Sequence, residues 1–106
     1  MELDRVFEAL ASKPRRQILA YLSELELSTS ELATRFEMST PAISRHLSIL
    51  ENAGLVTSER KGQFVLYKLN AESLASTLTG YALEVCPVGG KLKRESRALS
   101  KKKQTT

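Results

Sequence analysis

Apolar residues recur along the first half of this chain at helical spacing. Leu3, Val6, Phe7 and Leu10 fall at i, i+3, i+4 and i+7, which predicts a short amphipathic helix. Ser12-Lys13-Pro14 interrupts it: Ser12 is a capping residue, and Pro14 suits a first turn, where its missing N–H is not needed. A second helix is expected through Arg15 to about Ser23, with Ile18, Leu19 and Leu22 inward. Glu24 to Leu27 links it to a third helix. There Ser28 or Thr29 is the N-cap, Glu31 is placed to reach back as a capping-box acid, and Leu32, Ala33 and Phe36 form the buried side. Glu37-Met38-Ser39 turns into a fourth helix, capped by Ser39 or Thr40, with Ile43, Leu47 and Leu50 on one side.

After Gly54, a C′ residue for that helix, the period changes. Thr57 to Arg60 and Phe64 to Leu69 read as two short strands around Lys61-Gly62-Gln63, so a hairpin is expected. Asn70 is an N-cap for a last helix whose apolar stripe is Leu74, Leu78, Tyr81, Ala82 and Val85, and Pro87 and Gly89-Gly90 end it. Residues 91–106 are basic and poor in apolar groups, which predicts a frayed or partly helical tail. The expected fold is mainly α with a small β-hairpin, in the order α-α-α-α-β-β-α. One domain is expected over residues 1–90, followed by the tail.

The polar side of the fourth helix says more than the apolar one. Pro41, Ser44, Arg45, Ser48 and Asn52 share it, and no acid occurs in the helix before Glu51. A solvent-facing helix usually mixes Glu with Lys; a small, uncharged or basic face suits a helix lying in a DNA major groove, against base edges and phosphates. Helix, short turn, helix is the helix-turn-helix arrangement, and a hairpin tipped with Arg60, Lys61 and Gln63 directly after it reads as a wing, a winged helix-turn-helix. The candidate DNA-contacting residues are Ser39, Thr40, Pro41, Ser44, Arg45, Ser48, Arg60, Lys61 and Gln63.

The totals are compatible with this. The chain has 106 residues, 42% of them apolar, and 16 Lys+Arg against 12 Asp+Glu for a net +4. That is one globular domain with a modest basic excess, partly from the tail Lys91, Lys93, Arg94, Arg97, Lys101, Lys102 and Lys103, which either adds phosphate contacts or solubilises the end. A single cysteine excludes an intrachain disulfide, no apolar run is long enough for a membrane span, and the acidic start is no signal peptide, so a cytoplasmic location is expected. Paired acid–base groups with a nucleophile, a glycine-rich phosphate loop and a metal box are all lacking, so neither an enzyme nor a cofactor is expected.

Several runs resemble the ArsR/SmtB family of bacterial winged-helix repressors. They are Phe7-Glu8-Ala9-Leu10-Ala11 with Pro14-Arg15-Arg16-Gln17-Ile18-Leu19, then Glu31-Leu32-Ala33, and Ser39 to Leu50, which is close to S-x-x-x-[VI]-S-R-H-L-x-x-L. Ala53-Gly54-Leu55-Val56, Arg60-Lys61-Gly62-Gln63 and Tyr67-Lys68-Leu69 continue it. The wing and the missing metal ligands look most like the family's SdpR-like, autorepressor-type branch. The resemblance implies a sequence-specific repressor that blocks a promoter, its own being one candidate. It also implies a homodimer formed by the first and last helices, through Leu3, Val6, Leu10, Leu74, Leu78, Tyr81, Ala82 and Val85. Two recognition helices would then meet major grooves about 34–36 Å apart on a pseudo-palindrome. The family's metal sensors carry Cys-x-Cys where this chain has Ser28-Thr29-Ser30, and serine hydroxyls are poor ligands for such metals. The last helix has no His, so neither metal site is expected, and the inducer is unknown.

Two residues invite sharper readings. His46 lies about 60° from Ile43 on the helix wheel, where a lone histidine is more often a packed, hydrogen-bonded group than a ligand. Cys86 is the candidate for a thiol or redox switch, although redox sensors of the family use a cysteine pair, which favours a bystander. The competing functions are therefore a thiol-responsive repressor and a winged-helix protein-interaction module. The basic groove face argues against the second, because partner surfaces tend to expose an apolar patch.

Overall fold

The computed structural model describes residues 2–86. The elements are α1 (Leu3–Leu10), α2 (Lys13–Leu22), β1 (Leu27–Ser28), α3 (Thr29–Phe36), α4 (Thr40–Asn52), β2 (Val56–Lys61), β3 (Phe64–Leu69) and α5 (Ala71–Val85). This is the expected mainly helical winged helix-turn-helix, with one strand more than the sequence pattern showed. β1 is a two-residue strand that pairs antiparallel with β3, Leu27 opposite Tyr67 and Ser28 opposite Leu66, so the hairpin becomes a three-stranded sheet in the order β1-β3-β2. The expected helix end at Pro87 and Gly89-Gly90, and the basic tail, lie outside the described residues.

Local chemistry sets the helix boundaries. Ser12 caps α2, its Oγ accepting from the Arg15 N–H, with Pro14 in the first turn. Ser28 and Glu31 form a complete capping box on α3: the Glu31 N–H donates to Ser28 Oγ at 3.2 Å, and the Ser28 N–H donates to Glu31 Oε1 at 2.8 Å. Glu37 ends α3 in the left-handed region at φ 53, and the Met38 N–H reaches back to the Ala33 carbonyl at 3.1 Å, a Schellman-type closure. The last turn of α1 holds no basic residue of its own. Its carbonyls are taken from α2 instead: Arg15 Nη2 donates to Glu8 O at 3.0 Å, Arg15 Nε to Ala9 O at 2.7 Å, and Arg16 Nη1 to Leu10 O at 2.6 Å.

The core draws on every element from α1 to β2. Ile43, Leu47 and Leu50 of α4 meet Ile18 of α2 and Leu32 of α3, all fully buried. Each such side chain is worth about 1.5–3 kcal/mol when removed from water. In α1 the inward residues are Val6 and Ala9, whereas Phe7 is 39% exposed. The buried arc is therefore rotated from the expected one and runs through Val6 and Ala9. Asn70 precedes α5, but its side-chain amide donates to the Gly54 carbonyl at 3.1 Å and its N–H to the Leu55 carbonyl at 2.8 Å, pinning the end of β3 to the exit from α4.

The described residues fall into two units that divide within α5, between Leu74 and Ala75. The first unit holds the core, the helix-turn-helix and the wing. The described part of the second is the remainder of α5, with Cys86.

Candidate nucleic-acid interface

Ser39, not Thr40, caps α4: its Oγ accepts from the Ala42 N–H at 3.2 Å. Pro41 contributes no N–H, so Thr40 is left to offer the amide of the first turn. Ser39, Thr40, Pro41, Ser44, Arg45 and Ser48 are all exposed, while Ile43, Leu47 and Leu50 are buried. The helix thus divides as the pattern predicted, and its solvent face is free of acids until Glu51. Among the described residues no ion pair ties up Arg45.

The wing follows at once. Lys61 pairs with Phe64 across a two-residue loop, Gly62-Gln63, with φ +64 at Gly62 and no other positive φ in the loop. That is the pattern of a type II′ turn, which takes glycine at its first central position. Arg60, Lys61 and Gln63 are exposed. The Lys61 ammonium lies 4.0 Å from a Glu26 carboxylate oxygen, an exposed pair that holds the lysine only weakly.

Two polar contacts fasten α4 in addition to its apolar side. In its last turn Glu51 Oε2 accepts from the Ser58 hydroxyl at 2.9 Å, joining the recognition helix to the first strand of the wing. An acid at a helix C-terminus opposes the macrodipole, and this bond gives it a partner. Glu51 also raises the pKa of Tyr67, after the larger effect of that phenol's burial. Near the middle of the helix, His46 is half-buried and its Nδ1 lies 3.3 Å from Arg15 Nη1. Arg15 is a pure donor, so Nδ1 accepts and the ring is neutral. Partial burial, then the positive charges of Arg15 and Arg45, push the His46 pKa below its ordinary value. The structural reading of this histidine holds. Arg15, Glu51 and Asn70 were not singled out as positioning residues from the sequence; the one signal was that Glu51 is the only acid of α4.

The residues expected at a dimer interface separate into two groups. Val6 is fully buried in the protomer core. Leu3 is half-buried, and Leu10 and Leu74 pack partly on the core. Leu78, Tyr81 and Val85 are exposed, Ala82 is half-buried, and no residue of α5 is buried. Phe7 and Leu83, which were not expected there, are exposed as well. Cys86 is a free, exposed thiol just past α5. At the positions of the family's Cys-x-Cys box, Ser28 is buried as the α3 cap and its Oγ lies 3.2 Å from Ser30 Oγ. Among the described residues no cluster of three or more His, Cys, Asp or Glu is suitably arranged for a metal ion. No described helix is long and apolar enough to cross a membrane.

A family model described as bacterial regulatory protein, arsR family, matches residues 12–58, from the α2 cap into the wing. The transcriptional repressor SdpR of Bacillus subtilis is 37% identical over 76 residues, covering 72% of this chain and 84% of SdpR. The chain belongs to the ArsR family. As an ArsR-family protein it is a DNA-binding transcriptional regulator and not an enzyme. Among solved structures, an ArsR-like regulator from Rhodococcus sp. RHA1 is similar over 98% of this chain and 94% of its own, with TM-score 0.78 and 31% identity. A homodimeric winged helix-turn-helix DNA-binding domain from Mycobacterium bovis matches 97% of this chain and 86% of its own, with TM-score 0.65 and 25% identity.

Proposed function

We propose that this ArsR-family regulator is a homodimeric repressor of the SdpR-like branch, which occupies a pseudo-palindromic operator and blocks a promoter without a metal inducer. The exposed, acid-free face of α4, carrying Ser44, Arg45 and Ser48 and followed directly by the Arg60-Lys61 wing, is the observation that carries the reading. Arg45 supplies base or phosphate contacts, Ser39, Thr40, Ser44 and Ser48 supply hydroxyl donors, and Pro41 offers apolar contact to a thymine methyl. Arg60, Lys61 and Gln63 engage neighbouring phosphates. The apolar side chains of α5, none of them buried in the protomer, support the dimer, as does the homodimeric Mycobacterium bovis relative. Ser28, committed to capping α3, supports the absence of a thiolate-type site. Repression, rather than activation, follows the SdpR likeness.

The test is a DNA titration against fragments surrounding the protein's own gene, with and without zinc. Saturable, salt-sensitive binding that is indifferent to zinc and lost in Ser44→Ala/Arg45→Ala is expected. A folded double variant that keeps operator affinity sinks the assignment of α4. The oligomeric state follows from sedimentation at micromolar concentration, where a monomeric protein would remove the two-half-site geometry.

A further inference from the structure

α4 owes its seat in the core to apolar contacts, and these are poor at fixing rotation. The hydrophobic effect is non-directional, so burying Ile43, Leu47 and Leu50 does not by itself set the rotation of the helix finely; directional bonds add to it at two places, Ser58 to Glu51 in the last turn and Arg15 to His46 beside Arg45. Groove readout tolerates little roll. At the outer radius of a helix, about 5–6 Å, a roll of about 20° carries a side-chain tip through about 2 Å, outside the 2.7–3.2 Å window of an N–H···O hydrogen bond.

The Arg15 guanidinium is placed to suppress such a roll. It is a rigid planar fork, and two of its nitrogens are fixed on the C-terminal carbonyls of α1, Nε on Ala9 at 2.7 Å and Nη2 on Glu8 at 3.0 Å. The third nitrogen, Nη1, is thereby aimed at His46 Nδ1, 3.3 Å away on the flank of α4. His46 is next in sequence to Arg45 and lies between the buried and the exposed faces. We propose that Arg15 is a positioning residue for DNA recognition, which sets the rotation of α4 through His46 and thereby aims Arg45 and Ser44 into the groove. The proposal rests on the reading of α4 as the recognition helix. The same contact couples α1, α2 and α4 through a single side chain.

The experiment compares operator and random-duplex affinity, by fluorescence anisotropy over a salt series, for the full-length chain and four variants. Arg15→Lys keeps the charge and loses the fork. It is expected to lower the operator-to-random ratio by about tenfold, since one misplaced bidentate base contact costs about that factor, with random-duplex affinity and salt slope unchanged. His46→Leu removes the acceptor and is expected to match it. His46→Asn restores an acceptor near the Nδ1 position and is expected to keep the wild-type ratio, a rescue that a merely space-filling histidine would not show. A folded Arg15→Lys protein with the wild-type ratio overturns the proposal. Should that variant fail to fold, a wild-type ratio in His46→Leu, or equal losses in His46→Leu and His46→Asn, overturns it instead. Ser44→Ala/Arg45→Ala separates the two levels: if it retains operator binding, both readings fall. If it alone loses binding, only the role of Arg15 falls.

Discussion

Ser44 and Leu47 are three residues apart on one helix, and the two-faced architecture assigns them opposite outcomes on truncation to alanine. Leu47 is fully buried among core residues of several elements. Removing its three outer carbons loses the transfer free energy and leaves a cavity, a change that costs about 2–5 kcal/mol. Taking about 3 kcal/mol, against a total of about 5–15 kcal/mol for a domain of this kind, Leu47→Ala loses a substantial part of the stability. In a chain of this size each kcal/mol moves the melting temperature by about 4–8 °C, so a fall of about 12–24 °C is expected. Ser44 is exposed. Its truncation is expected to change stability by no more than about 0.5 kcal/mol, in the stabilising direction if at all, because alanine is the better helix former. The assay is urea unfolding followed by helical circular dichroism at one fixed protein concentration, since assembly couples to stability. Operator binding is measured in parallel below the transition. Ser44→Ala is expected to weaken specific binding while leaving the midpoint in place. A Leu47→Ala protein within 1 kcal/mol of wild type, or a Ser44→Ala protein destabilised by more than that, would refute the assignment of the faces.

Three further outcomes follow from the same geometry. Ser28→Ala removes the α3 cap and strands the Glu31 N–H, so a loss of about 0.5–2 kcal/mol is expected in the same unfolding assay. The His46 pKa is lowered in the folded protein, so the unfolded chain takes up a proton first as the pH falls; stability present above the ordinary value of 6.5 is therefore lost as pH drops through it, and unfolding midpoints in His46→Asn should show a shallower slope there. Cys86 is exposed and has no second cysteine in its own chain, so peroxide is expected to leave operator affinity within about twofold; a loss that Cys86→Ser abolishes would establish a thiol switch instead.

Most of the scaffold was legible because each boundary has a local cause. Ser12, Ser28 and Ser39 stand where side-chain oxygens meet orphan N–H groups, and the hairpin follows from Gly62 and the change of period. The division of α4 into a buried and an exposed face follows from the 3.6-residue repeat alone. What escaped has non-local causes. β1 is two residues long, too short to show alternation, and exists only because β3 lies beside it. The rotation of α1 that exposes Phe7 and buries Val6 depends on where α2 and α4 sit, which no periodicity within α1 contains. The contacts of Arg15 could not be read from the local pattern, since its three acceptors lie on two other helices.

The short strand β1 has a consequence for engineering. It joins the chain just before α3 to the chain just after the wing turn, so the helix-turn-helix and the first wing strand are enclosed in a loop whose ends meet at Leu27–Tyr67 and Ser28–Leu66. A segment cut out as α3 and α4 alone would lose β1 and β3, the strands that close this loop, and with them Leu27 of the core. The recognition helix is therefore not a portable cassette. New operator preferences are better written onto the exposed positions of α4 in place, where neither the sheet nor the core takes part in the exchange.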